Sequence, residues 1–107
     1  VLVGHSFGGR VVMEAALRAP SVVGVAALSS VDAPGVVERL APRSLLLLHG
    51  QADEVVPASV SVGLFKRAGE PKSLLLYPDC LHGLDACGNA IDRDITSWIG
   101  AVLDLPA

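Results

Sequence analysis

Apolar residues occur along this chain in two alternating patterns. Continuous apolar runs bounded by glycine, proline or serine are typical of strands buried on both faces. They occupy residues 1–3, 21–28, 44–49 and 72–77. Apolar residues at helical spacing occupy residues 11–19, 57–68 and 91–103. The resulting order of strands and helices predicts an α/β fold, in which a parallel β-sheet is flanked by helices.

Residues with known preferences mark the ends of the predicted helices. Pro57 suits a first helical turn, and Gly69 is expected to end the same helix. Asn89 is expected to cap the last helix, whose apolar stripe includes Trp98 and should pack on the sheet. Residues 31–42 form the only long connection, which is too short to hold an inserted domain.

The composition indicates one small globular domain over residues 1–107. Hydrophobic residues make up 51% of the chain and charged residues 18%, which excludes a disordered protein. The net charge is −3 and the basic residues are scattered, so nucleic acid and acidic membranes are poor partners. No apolar run approaches the roughly 18–20 residues that a transmembrane helix needs.

The two cysteines, Cys80 and Cys87, are too few for a disulfide framework, and their spacing matches no common zinc pattern. Free thiols are expected, with a disulfide on this loop as the alternative, and a cytoplasmic location is mildly favoured. The chain begins with Val1 inside an apolar run. It is therefore expected to have been cut from something longer, with any targeting signal upstream.

The segment Gly4-His5-Ser6-Phe7-Gly8 fits the pattern G-x-S-x-G between a predicted strand and a predicted helix. A serine on so sharp a turn crowds its neighbours, so Gly4 and Gly8 are expected to be positions where a Cβ would clash. The turn would raise the Ser6 hydroxyl above the strand ends. It would also aim the Phe7 N–H at an oxyanion that develops beside the serine.

A serine hydroxyl is a weak nucleophile, so it needs a base in reach. In hydrolases that place serine on such a turn, the chain order is Ser, then Asp or Glu, then His. His82 fits this order and follows the last predicted strand, at the sheet edge where Ser6 is expected. His5 adjoins the serine and His49 precedes the suitable acids. Both are expected to be structural, with His5 lining the pocket as an alternative.

Asp53 is the expected acid that orients His82. It lies four residues after a predicted strand and four before Pro57, on a loop at the strand end. Asp32, which follows the second predicted strand, is the runner-up. The weaker candidates are Glu54, Asp79 and Asp85.

These motifs resemble those of the α/β-hydrolase superfamily: Gly-His-Ser-Phe-Gly-Gly at 4–9, His-Gly-x-x-Asp-x-x-Val-Pro at 49–57, and Pro-x-x-x-His-Gly at 78–83. They look like those of capless dienelactone-hydrolase-like and esterase members. The resemblance implies that the chain is the C-terminal half of the fold, from the end of the fifth strand to the eighth. It places the second oxyanion-hole N–H in the N-terminal half. Dienelactone hydrolases have a cysteine where this chain has Ser6, so the resemblance implies a serine ester hydrolase.

The predicted function is acyl transfer from a small-molecule carboxylic ester or thioester to water. Ser6 is the nucleophile, His82 the base and Asp53 the orienting acid; no metal and no cofactor is implied. The alternative is a truncated or non-catalytic fragment, because the first strand would present an unpaired edge and helix faces would meet water. The N-terminal half of the fold, or a second copy in a homodimer, is the expected partner at that edge.

Overall fold

The computed structural model describes residues 1–106. Its four strands are β1 (Leu2–His5), β2 (Gly24–Leu28), β3 (Ser44–Gly50) and β4 (Lys72–Tyr77). Its three α-helices are α1 (Phe7–Leu17), α2 (Ser59–Arg67) and α3 (Gly88–Val102). Short 3₁₀ turns lie at Val37–Arg39 and Asp85–Cys87.

The strands form one parallel sheet in the order β1-β2-β3-β4. Gly4 pairs with Ala27, and Leu28 pairs with Leu48, so the strands are in step along the sheet. Their carboxyl ends therefore lie at one edge of the sheet, where the segments that leave the strands meet. Strand β1 is an outer strand, as expected. The predicted parallel sheet with flanking helices is confirmed.

Alternate residues of the central strands point to opposite faces of the sheet, and both faces are covered. On one face Val25 and Leu47 pack with Met13 of α1 and Leu64 of α2. On the other face the core contains the residues Ala26, Leu46, Leu48, Tyr77 and Ile91, and Trp98 of α3 packs against them. Burial on both faces explains why β2 and β3 are continuous apolar runs in the sequence.

Several predicted element boundaries shift in the structure. Strand β2 begins at Gly24 because residues 18–22 close the end of α1 with backbone turns. The expectation that Asn89 caps the last helix is wrong. Helix α3 begins at Gly88 with Cys87 at its N-cap, because the preceding 3₁₀ turn runs directly into it.

The loop after β4 is cross-linked. Cys80 and Cys87 form a disulfide, so the expectation of free thiols is wrong and its alternative holds. The loop doubles back through Leu84, which has φ 63°, and brings the two Cα atoms to 6.2 Å, within disulfide reach. Within residues 1–106, no helix combines the length and the apolarity needed to cross a bilayer.

Candidate active site

Ser6 occupies the sharp turn between β1 and α1. Its backbone has φ 59° and ψ −122°, a conformation that is strained for a residue with a side chain. Two hydrogen bonds hold the turn: the Ser6 N–H donates to the Leu28 carbonyl at 2.8 Å, and the Gly9 N–H donates to the Ser6 carbonyl at 3.0 Å. The surrounding sheet and helix therefore fix the position of the Ser6 hydroxyl.

The glycines around Ser6 have unequal roles. A Cβ on Gly4 would collide with the Gly8 carbonyl, as expected for this turn. A Cβ on Gly8 would meet nothing within 4 Å among the described residues, so the expectation of a clash there is wrong. Gly8 matters through its backbone, which is what crowds Gly4. The second crowded position is Gly9, where a Cβ would press on the Ser30 side chain as α1 packs against the sheet.

His82 lies on the loop after β4, beside Ser6. Its Nε2 is 2.9 Å from the Ser6 Oγ, and its side chain keeps 20% of its accessible surface. The backbone carbonyl of His82 is also held, since it accepts hydrogen bonds from the His5 Nε2 at 2.8 Å and the Ser29 Oγ at 3.0 Å. Both the ring and the backbone of His82 are thus tied to groups at the carboxyl ends of β1 and β2.

Asp53 completes a hydrogen-bonded series with Ser6 and His82. The His82 Nδ1 is 2.8 Å from the Asp53 Oδ2, and the Asp53 side chain is fully buried. The Asp53 Oδ1 accepts the backbone N–H groups of Val55 and Val56, each at 2.8 Å. Burial raises the pKa of Asp53, but hydrogen bonds from His82, Val56 and Val55 outweigh it, so the pKa lies below its ordinary 3.8. This carboxylate remains charged at neutral pH.

The other acids lie outside this series. Asp32 accepts hydrogen bonds from the Arg67 guanidinium and from the Ala33 N–H. Its side chain is 54% exposed, and the bond from Arg67 is the main reason why its pKa is lowered. The remaining candidates from the sequence, Glu54, Asp79 and Asp85, are exposed.

Phe7, the expected oxyanion donor, follows Ser6 directly. It is the first residue of α1, so its backbone N–H has no acceptor within the helix and points out of the helix N-terminus. Its side chain is 66% exposed. The Phe7 N–H therefore belongs to the residue after the candidate nucleophile and has no intrahelical partner.

Three further polar residues surround the site; the sequence predicted only that His49 is structural and did not predict Ser29 or Ser61. Ser29, after β2, bonds to the His82 carbonyl, and His49 bonds to Asp53 from the buried side. Ser61 on α2 bonds in turn to His49. The contact between His49 and Asp53 forms because the chain turns back after β3, where the Asp53 N–H donates to the Gly50 carbonyl at 3.2 Å. The contacts of Ser29 and Ser61 depend on how β2 and α2 pack, so the sequence carried no distinct signal for any of the three.

Curated proteins and family models give limited matches. No protein-family model matches the chain. A 46-residue segment, 43% of this chain, is 46% identical to the uncharacterized protein YfhR of Escherichia coli K12, and it spans 16% of that protein's length.

Solved structures match nearly the whole chain. The esterase domain of a Rhodothermus marinus protein has a TM-score of 0.80 and 22% identity, covering 91% of this chain and 59% of that one. Est1E from Butyrivibrio proteoclasticus has a TM-score of 0.79 and 20% identity, covering 95% and 60%. MGS-MChE2, an α/β hydrolase enzyme from a sediment metagenome of the Mar Chica lagoon, has a TM-score of 0.78 and 14% identity, covering 94% and 61%. The chain thus spans 59–61% of the length of these proteins.

Proposed function

We propose that this chain, which has the α/β-hydrolase fold, carries the catalytic residues of a serine hydrolase that acts on carboxylic esters or thioesters. The observation that carries the proposal is the pair of short contacts through His82, 2.9 Å to the Ser6 Oγ and 2.8 Å to the Asp53 Oδ2. A nucleophile bonded to a base, and a base bonded to a buried acid, is the arrangement that activates a serine.

The proposed reaction has two halves. In the first, the His82 Nε2 accepts the Ser6 hydroxyl proton while the Ser6 Oγ bonds to the substrate carbonyl carbon. The carbonyl oxygen becomes an oxyanion, which the Phe7 N–H stabilises; such a donor contributes about 3 kcal/mol. The leaving alcohol or thiol then takes the proton from His82 as its bond to carbon breaks, and the acyl group remains on Ser6.

In the second half, His82 takes a proton from water as the water oxygen bonds to the acyl carbon. The bond to the Ser6 Oγ breaks, Ser6 recovers its proton from His82, and a carboxylic acid leaves. Throughout, the Asp53 carboxylate accepts the His82 Nδ1–H, holds the ring in the required tautomer and stabilises its charged form. The side chains that carry these steps come from this chain alone.

The proposed acyl substrate is supported by the similarity of this chain to solved esterase structures. Two of the solved structures that the chain resembles are described as an esterase domain and as Est1E. The serine nucleophile separates the chain from dienelactone hydrolases, which have a cysteine at that position. A small ester or thioester is therefore the substrate class that we propose, and no cofactor takes part in the steps above.

A second candidate is a chain without activity of its own. The outer strand β1 has unpaired backbone groups along one side, and the apolar side chains of Val3 and Phe7 are 47% and 66% exposed. Such a face favours association. We propose that it pairs with further strands, supplied by the N-terminal half of a longer hydrolase domain or by a second copy of this chain.

The first experiment compares the chain with its Ser6→Ala variant. Hydrolysis of p-nitrophenyl acetate and butyrate is measured for both, together with size-exclusion chromatography. Turnover that disappears in Ser6→Ala supports the serine hydrolase. If both proteins fail to hydrolyse the esters and both aggregate, the result supports a fragment without activity of its own. A monodisperse, folded chain that neither turns over the esters nor becomes labelled on Ser6 by a fluorophosphonate would refute the proposed nucleophile.

A further inference from the structure

His49 is a buried imidazole that the proposed reaction does not use. It lies in β3 with no accessible surface, and within residues 1–106 its hydrogen bonds go to Ser61, Asp53 and Val56 and not to Ser6 or His82. Its single Nε2–H is shared between the Val56 carbonyl, at 2.7 Å, and the Asp53 Oδ2, at 3.1 Å. A buried polar ring on a core strand is costly unless each nitrogen is hydrogen-bonded.

The contact with Asp53 completes the surroundings of that carboxylate. A carboxylate offers about four acceptor positions, two on each oxygen. The Oδ1 accepts from the N–H groups of Val55 and Val56, while the Oδ2 accepts from the rings of His82 and His49. Two donors on each oxygen oppose rotation of the carboxylate. The Oδ2 is thereby held toward the His82 Nδ1.

The Val56 carbonyl sets which nitrogen of His49 carries the proton, and Ser61 pairs with the other nitrogen. Because the Val56 carbonyl can only accept, the His49 Nε2 must carry a hydrogen. The Ser61 Oγ is 2.7 Å from the Nδ1, where its hydroxyl can donate to the unprotonated nitrogen. Ser61 is itself fully buried on α2, so the bond is shielded from water. The relay runs from Ser61 through His49 to Asp53.

We propose that His49 is a positioning residue for the hydrolysis, acting through Asp53 on His82. The inference rests on the proposed function, since it assigns His49 a part in the same reaction. Loss of the Nε2 donor would leave the Asp53 Oδ2 with His82 as its one donor, so the carboxylate could tilt and move the His82 Nδ1 away from its best alignment. A misplacement near 1 Å costs roughly 10²-fold in rate.

The test uses two substitutions at His49. His49→Leu keeps the volume and removes the donor, and we expect kcat to fall between about 10-fold and 100-fold with KM within about twofold. His49→Gln places an amide N–H near the position of the Nε2 and should recover most of that loss. Ser61→Ala, a smaller change, should lower kcat several-fold. Unchanged kcat in both His49→Leu and Ser61→Ala would overturn the proposal.

A double-mutant cycle separates positioning from general damage to the fold. If His49 acts through Asp53, His49→Leu should lower kcat less than twofold further when Asp53 is already asparagine. An equal loss in both backgrounds would overturn the proposal, because it would mean that His49 acts through some other part of the structure.

A spectroscopic readout keeps this test independent of the hydrolase activity. In the Ser6→Ala background, the proton that His82 shares with Asp53 should give a downfield NMR signal, and His49→Leu should shift or broaden it. An unchanged signal would overturn the positioning role. Absence of Ser6-dependent turnover would instead refute the proposed function, while the NMR comparison would still decide the role of His49.

Discussion

Asp53→Asn is the substitution whose effect the structure defines most sharply. An amide has one oxygen that accepts and one NH₂ group that donates, whereas all four contacts on the Asp53 carboxylate are made by donors. In one orientation the new NH₂ faces the N–H groups of Val55 and Val56. In the other it faces the ring nitrogens of His82 and His49. Either way, two donor contacts lose their acceptor.

The two orientations differ in cost. Facing Val55 and Val56, the amide leaves two partly buried backbone donors unpaired, at about 1–3 kcal/mol each. Facing His82, the amide can donate to the Nδ1 if His82 moves its proton to the Nε2, and the His49 Nε2 keeps its bond to the Val56 carbonyl. The second orientation is therefore favoured. It turns an N–H toward the Ser6 Oγ, so His82 can no longer accept the serine proton.

We therefore expect Asp53→Asn to lower kcat by about 10⁴-fold while the protein stays folded, in line with what tautomer reversal costs in serine hydrolases. The assay is p-nitrophenyl butyrate hydrolysis, with urea denaturation as the check on folding. Asp32→Asn is the matched control, because that acid contacts Arg67 and lies outside the series; its activity should stay near that of the unmodified chain. A folded Asp53→Asn protein with more than a tenth of the original kcat would refute the reasoning.

Three further predictions concern the turn, the loop and acid. Gly4→Ala should lower the free energy of unfolding by at least about 1–3 kcal/mol in urea titration, because the new Cβ would meet the Gly8 backbone. Gly8→Ala is the control and should leave the free energy of unfolding unchanged, because a Cβ there meets nothing within 4 Å among the described residues. Equal effects of the two substitutions would contradict the steric argument. Reduction of Cys80–Cys87 should remove about 2–3 kcal/mol and lower the Tm, and a Cys80→Ser, Cys87→Ser double variant should not respond to dithiothreitol. Because folding lowers the pKa of Asp53, the charged carboxylate contributes fully to stability above pH 3.8, and this contribution is lost as the pH falls from there through the lower folded pKa. In urea denaturation at a series of pH values, Asp53→Asn should therefore reduce the fall in the free energy of unfolding at low pH. An identical fall in both proteins would refute the role of Asp53 in acid stability.

Much of the fold could be predicted because the strands are buried on both faces. Strand β4 has the predicted bounds, and β3 extends one residue past its prediction, to Gly50. Boundaries set by the backbone were harder to predict. Neither the turns that delay β2 to Gly24 nor the 3₁₀ turn that starts α3 before Asn89 leaves a distinct signal in the sequence.

The three candidate catalytic residues could be predicted because their order along the chain and their positions after strands are restricted. The motif around Ser6, the late position of His82 and the loop position of Asp53 were each legible in the sequence, and the structure brings these three side chains together. The unequal roles of Gly8 and Gly9 could not be predicted from the sequence, because they depend on which atoms a Cβ added at each position would meet in the folded chain. The disulfide was left as an alternative, because pairing depends on how the loop folds back.

The sequence by itself determined which residues are candidates for nucleophile, base and acid, because these roles depend on the amino-acid type. It also determined where strands and helices form, because buried elements have apolar residues at a characteristic spacing. The sequence favoured Asp53 over Asp32 as the acid beside His82, and the tertiary structure decided between them, because both residues follow strands. The tertiary structure also decided that Ser29, His49 and Ser61 surround the site. The physical reason is that a hydrogen bond needs partners within about 3 Å, and residues far apart in sequence reach that distance only when strands, loops and helices have packed.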